Sequence, residues 1–184
     1  MADIDEDITY LNAEVLLLAS DPDEGERTLR LLGAHPNVIN RIATAGSKGV
    51  STAVRCRVPL VTLSPRLEEL LNGSSLGHRS VHAPEASEAI QRLTRIALQV
   101  AQRVALTDRT LAQLHFGISS RTCERLVELS VARLRRLNER HGILLRIREA
   151  EKPQIWDRLL IGDRCNDPRG FRISQQRILM SLSK

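Results

Sequence analysis

A chain of 184 residues can bury one core of ordinary size or two small ones, and a hydrophobic share of 42% makes it globular rather than disordered. Aromatic residues at 2% exclude stacking platforms for single-stranded nucleic acid, and no segment approaches the ~20 apolar residues of a membrane span. The net charge of +5 hides an asymmetry: nine of the 22 acidic residues precede the first base, Arg27, so 27 bases face 13 acids downstream. Lysine occurs only at 48, 152 and 184, and an arginine-rich surface suits bidentate contacts to phosphate or carboxylate. The balance points to a DNA-associated protein or a subunit that docks an acidic partner. The acidic N-terminus is unlike a signal peptide, so a cytoplasmic protein is expected.

In chain order, Ile8, Leu11, Val15, Leu18 and Ala19 recur at helical spacing and predict a first helix over 8–19. Asp21, Pro22 and Glu24 predict a second, with an Asp cap, Pro at the first helical position and a capping box, ending at Gly33. A third starts near Pro36 and carries Val38, Ile39, Ile42 and Ala43. After Gly46 and Gly49 a short helix spans 50–55, and 58–63 is strand-like, with Pro59 confining it to an edge or a strand start. Residues 72–84, rich in Gly and Ser, read as a linker.

Beyond the linker, Ile90, Leu93, Ala97, Val100, Ala101 and Val104 form one apolar helix face opposite Arg92, Arg95, Gln99, Gln102 and Arg103. Asp108 can cap a short helix to His115, stopped by Gly117. Ser119 or Ser120 opens a helix through Glu128, and Ser130 another to Arg140. Gly142 ends that helix, 143–147 reads as a strand, and 173–182 as a final helix.

This succession repeats one unit. Leu16-Leu17-Leu18-Ala19 answers to Leu98-Gln99-Val100-Ala101, Leu31-Leu32-Gly33-Ala34 to His115-Phe116-Gly117-Ile118, and Leu60-Val61-Thr62-Leu63 to Leu144-Leu145-Arg146-Ile147. The fold class expected is mainly α, with two similar helical units in tandem (1–71 and 88–184, joined by 72–87). They form an intramolecular pseudo-dimer, each ends in a short strand, and a C-terminal helix follows.

Residues 111–126 read in two ways: as a helix-turn-helix, with Ser119, Ser120, Arg121 and Arg125 facing a major groove, or as an ordinary helix–Gly–helix corner with a solvated front. Arg133, Arg136 and Arg140, with Arg135 alongside, form a second basic stripe, open to a phosphate backbone, an acidic partner or solvent. Candidate DNA- or partner-binding residues are therefore Arg121, Arg125, Arg133, Arg135, Arg136 and Arg140. Cys56, Cys123 and Cys165 form no CxxC pair and read as buried small hydrophobes, so no cofactor or metal is expected. Cys123, His115 and His141 lack an orienting carboxylate and an oxyanion nest, and His78 with His82 lack further ligands. An enzyme is not expected.

The pattern Leu98-Gln99-Val100-Ala101-Gln102-Arg103, Asp108, Ala112, Phe116-Gly117-Ile118, Leu129-Ser130, Leu134, Leu137 and Leu144-Leu145-Arg146-Ile147-Arg148 resembles the FlhD family of flagellar transcriptional regulators. Asp167 and 173–182 are similar to that family's C-terminal helix, and Tyr10, Leu11, Asn12 and 16–19 to its first. The resemblance implies an all-helical, dimer-forming subunit that joins a zinc-bearing, FlhC-like partner in a heteromeric DNA-binding activator of flagellar or mobile-element operons. The family's cysteine near the strand falls on Leu145, or Val61 in the first unit, so no inter-subunit disulfide is implied. Two other readings stand beside this one: a self-sufficient helix-turn-helix regulator, and a helical adaptor that binds no DNA.

Overall fold

The computed structural model describes residues 4–73 and 87–160. The described residues are mainly helical: α1 (Ile4–Ala19), α2 (Gly25–Leu31), α3 (Pro36–Ala43), α4 (Ser47–Val54), β1 (Val61–Leu63), α5 (Pro65–Leu71), α6 (Glu88–Thr107), α7 (Arg109–Phe116), α8 (Ser120–Glu128), α9 (Val131–His141), β2 (Leu145–Ile147) and α10 (Pro153–Leu160). The order α1–α4, β1, α5 returns as α6–α9, β2, α10. The starts of α2, α3, α4 and β1 precede those of α7, α8, α9 and β2 by one constant interval. The first helices also correspond by burial. Ile8, Leu11, Asn12, Val15, Leu16 and Ala19 are buried on α1, and Ile90, Leu93, Thr94, Ala97, Leu98 and Ala101 recur at the same spacing on α6.

The chain folds as two compact units, the first built from two separated stretches and the second from one. The first falls within Met1–Leu60 and Ile147–Lys184, the second within Val61–Arg146. In the first unit α1 packs on α2, α3 and α4, and α10 closes over α3 and α4. Ile8, Leu11, Leu16, Leu29 and Trp156 fill its core. Gly49 on α4 meets the backbone of Leu160, where a Cβ would overlap the carbonyl, so α10 seats flush only against glycine. In the second unit α6 is the central helix, contacted by α7, α8 and α9, and α5 lies on α8. Thus the helix after each strand completes the unit opposite in sequence.

β1 and β2 form a two-stranded sheet. Ser64 N–H donates to Leu144 C=O at 2.9 Å, and Arg148 N–H to Leu60 C=O at 2.9 Å. The interval from Leu60 to Leu144 equals that from Ser64 to Arg148, so these two bonds are the same bond with roles reversed, and the strands run antiparallel.

Several sequence expectations need correction. Asp21 caps a turn and not a helix: its Oδ1 accepts from Asp23 and Glu24 N–H, both at 2.9 Å, and α2 begins only at Gly25. Those N–H groups, Glu24's first, hold the Asp21 carboxyl below the ordinary carboxylate range. α4 begins at Ser47, ahead of Val50, because Gly49 is accommodated inside it. The first strand is shorter than 58–63 because side chains claim the preceding backbone. Asn12 donates to Cys56 and Val58 C=O at 2.9 and 3.2 Å and accepts from Leu60 N–H at 2.8 Å, while Arg148 Nε takes Pro59 C=O at 2.7 Å. α5 and α10 were not anticipated from sequence. The linker's Gly/Ser core, His78, His82, Cys165 and the helix expected at 173–182 lie outside the described residues.

Candidate nucleic-acid interface

The corner between α7 and α8 is built by two short polar side chains and one glycine. Asp108 Oδ1 accepts from Leu111 N–H at 2.9 Å and opens α7. Gly117 ends it with φ +65°, a left-handed conformation that glycine adopts without strain. Ser119 Oγ accepts from Thr122 N–H at 3.3 Å and opens α8. Thr122, Cys123 and Leu126 turn inward, as Val38, Ile39 and Ile42 do at the corresponding places on α3. The outward face of α8 carries Arg121, Glu124, Arg125 and Glu128.

α5 supplies a contact that the sequence did not suggest. Glu68 Oε1 accepts from Ser119 N–H at 2.6 Å and from Thr122 Oγ1 at 3.1 Å. A carboxylate from a neighbouring helix thus satisfies a terminal N–H of α8 and complements its positive end. Partial burial pushes the Glu68 carboxyl up. The hydrogen bonds from Ser119 and Thr122 outweigh that and leave it below the usual range.

α9 opens at Ser130, whose Oγ accepts from Arg133 N–H at 3.3 Å, and buries Leu134 and Asn138. Arg133, Arg135, Arg136 and Arg140 are all exposed. By helical periodicity Arg133, Arg136 and Arg140 share one flank, while Arg135 lies on the other with Val131. Arg135 meets Glu139 at 2.7 Å, and Arg125 meets Glu128 at 3.4 Å. Arg121, Arg133, Arg136 and Arg140 form no ion pair among the described residues.

The first unit treats the matching face differently. Arg41, the counterpart of Arg125, pairs with Asp157 of α10, and Gly49, the counterpart of Arg133, lies beneath Leu160. On the second unit α5 touches α8, and Arg133 stands in solvent where Gly49 is covered. The six candidate residues therefore lie on two consecutive helices of one unit, and α10 engages the counterparts of two of them, Arg41 and Gly49.

The described thiols are not chemical centres. Cys56 and Cys123 are buried and in no disulfide. Burial raises the Cys123 thiol above its ordinary value, and Arg109 only partly opposes it, so no thiolate forms near neutral pH. Burial, then Arg66 and Arg140, lower the His141 imidazole. No group of His, Cys, Asp and Glu that could hold a metal occurs among the described residues. No helix there is long and apolar enough to cross a membrane.

Sequence reasoning also missed Arg148. It is 5% exposed, its Nε holds Pro59 C=O, and its own carbonyl accepts from Trp156 Nε1 at 3.1 Å. Burial lowers it to about 10, which leaves it charged at neutral pH. Its role is to pin the segment before β1 to the start of α10. The one available signal was a second arginine immediately after a short strand.

The model of the family described as flagellar transcriptional activator (FlhD) matches residues 81–184, more than half of the chain. This is a family of transcriptional regulators and not of enzymes. No curated protein and no solved structure matches the chain. The match spans α6 to α10, including the corner and both arginine helices, and the chain accordingly belongs to the FlhD family of flagellar transcriptional activators.

Proposed function

We propose that the chain is the FlhD-like subunit of a heteromeric transcriptional activator that works in the cytoplasm with an FlhC-like, zinc-bearing partner on flagellar or mobile-element operons. The family match over 81–184 carries this reading. Within it, 1–71 and 88–184 are two FlhD-like units joined by 72–87 and paired as an intramolecular pseudo-dimer. The repeated element order and the reciprocal bonds Ser64–Leu144 and Arg148–Leu60 favour that arrangement, since residue i contacting j while j contacts i is the mark of a two-fold pairing.

Arg121, Arg125, Arg133, Arg135, Arg136 and Arg140 are then the surface offered to DNA phosphate or to the partner. Four of them, Arg121, Arg133, Arg136 and Arg140, have no carboxylate partner among the described residues and suit this role best, because phosphate contact displaces only water and counterions there. The test is promoter-DNA retardation by the purified chain, alone and with a co-expressed FlhC-like partner, across a salt series. The proposal expects binding only with the partner, with log K falling by roughly 0.9 per phosphate neutralised as log salt rises. Arg133→Ala, Arg136→Ala and Arg140→Ala together should flatten that slope. An unchanged slope removes these residues from the interface.

A second reading, a self-sufficient helix-turn-helix regulator, draws on the α7–Gly117–α8 corner with its capped second helix and exposed Arg121 and Arg125. Binding by the chain alone, lost in Arg121→Ala and Arg125→Ala, would favour it. No binding under either condition would leave a helical adaptor.

A further inference from the structure

Three basic side chains of the second unit gather where α9 ends: Arg66 of α5, and Arg140 and His141 of α9. The backbone brings them there. Ser64 N–H donates to Leu144 C=O at 2.9 Å, which holds the start of α5 beside the segment that leaves α9. Arg66 and His141 are half-buried, and Arg140 is exposed. None of the three forms an ion pair among the described residues. Ser64 is 7% exposed, and its hydroxyl is a buried donor without an acceptor among those residues.

The charges on the neighbouring elements do not neutralise this corner. On α5, Glu68 is committed to Ser119 and Thr122, and Glu69 pairs with no base among the described residues. On α9, Glu139 is held by Arg135 at 2.7 Å, while Arg136 adds a further positive charge. α6 packs on α9, where Asn138 Nδ2 donates to Gln91 C=O at 2.7 Å, and it carries exposed Glu88, Arg92 and Arg95. Exposed Arg146 stands on β2. The charges that act on the His141 imidazole are those of Arg66 and Arg140, and both oppose its protonation.

The first unit resolves the same position internally. Arg57 stands as far beyond the start of α4 as His141 does beyond the start of α9, and it meets Asp5 of α1 at 3.4 Å. By the matched burial of α1 and α6, the counterpart of Asp5 is Ser87, whose side chain caps α6. Thus the second unit lacks the carboxylate and adds two guanidinium groups. Such a corner is complete only with an anion from outside the chain.

We propose that Arg66, Arg140 and His141 bind a phosphate group, of a DNA backbone or of a free phosphate compound, and that His141 takes up a proton as it binds. The oxyanion neutralises the two guanidinium charges and accepts a hydrogen bond from the imidazolium, so binding tightens as pH falls. Arg66 lies outside the matched residues 81–184, so the site needs both parts of the chain. Arg140 also belongs to the surface proposed above, but a site for free phosphate stands without that role.

The test titrates the full chain with inorganic phosphate at constant ionic strength, with chloride as the reference. Histidine ring protons are followed by NMR over about pH 5–8, and His141→Gln identifies the resonance. Saturating phosphate should raise the His141 midpoint by about one pH unit, which makes binding about tenfold tighter at the acid end. Arg66→Gln should weaken phosphate binding about tenfold, Arg66→Lys should restore part of it, and Arg121→Ala should leave it unchanged. Circular dichroism checks that each variant is folded, and the wild-type midpoint decides without them. Promoter-DNA retardation then separates the sources. Retention lost in Arg66→Gln assigns the site to a DNA backbone. Unchanged retention, or none by the wild type, assigns it to a free phosphate compound. The proposal is overturned if phosphate moves the His141 midpoint no further than chloride does, or if folded Arg66→Gln binds phosphate as the wild type does.

Discussion

Glu68 shows how one side chain ties the candidate interface to the fold. It serves two donors at the start of α8, Ser119 N–H and Thr122 Oγ1. Glu68→Gln should lower stability by ~1 kcal/mol at neutral pH, since an N–H···carboxylate bond is replaced by a weaker neutral one. The pH dependence follows from the lowered carboxyl. Its contribution is complete above the ordinary value of 4.5 and is lost as pH falls toward the depressed folded value. His141, also lowered, acts in the same sense at higher pH: stability begins to fall as pH drops below 6.5, where the unfolded chain takes up its proton first. Urea midpoints between pH 8 and pH 3 should therefore decline in two stages, and Glu68→Gln should flatten the lower one. Gly117→Ala meets a backbone cost and not a steric one, because Thr62, the nearest neighbour, is 3.9 Å from the added methyl. A loss of about 1 kcal/mol is expected from the left-handed φ.

At the level of elements, α10 and α5 each pack on helices of the unit opposite in sequence, and neither was foreseen. The helices of the second half were legible because each carried its own start and stop: Asp108, Ser119 and Ser130 as caps, Gly117 as a terminator. Their apolar faces follow the helical period, so the buried positions of α6 and α8 could be read directly. α10 begins at Pro153 with no such cap, and its eight residues are held by what they touch: Trp156 in the core, Asp157 on Arg41, Leu160 over Gly49. Those partners lie more than a hundred residues away, and spacing along the chain cannot display them. Glu68 was missed for the same reason, since its partners are on α8. The arginines of α8 and α9 were visible as residues, but their openness was not. It depends on α5 being placed where it leaves Arg133 uncovered, while α10 covers Gly49. Gly49→Ala should therefore cost more than the usual glycine-to-alanine exchange in a helix, which is favourable by ~1 kcal/mol. A net loss in urea unfolding would confirm the backbone contact. Trp156→Ala should cost ~3–5 kcal/mol. Trp156 is also the sole tryptophan in the chain, so its fluorescence follows the first unit alone.

Across the whole molecule, charge and symmetry diverge. The two runs of elements bury matching positions, yet acids gather on the first and arginines on the second. Duplicated cores under unlike surfaces are what a protein needs if its two halves meet different partners. The separation carries its own check. Arg121→Ala and Arg136→Ala should leave the thermal midpoint within about 2 °C of the wild type while weakening DNA retention, because neither side chain is buried or paired among the described residues. A large fall in the midpoint would mean that these arginines serve the fold.

The split composition of the two units sets an order of events in time. Residues 61–146 form one stretch and can close as soon as they leave the ribosome. The first unit starts earlier but waits for residues from 147 onward, since Arg148, Trp156 and Leu160 complete its core. The part made first is thus finished last, after a loop as long as the whole second unit has been closed. Until then the seat of α10 on α3 and α4 lacks its cover in the nascent chain, an interval in which a chaperone would find apolar surface to hold. Truncation after residue 146 would fix the chain at that stage.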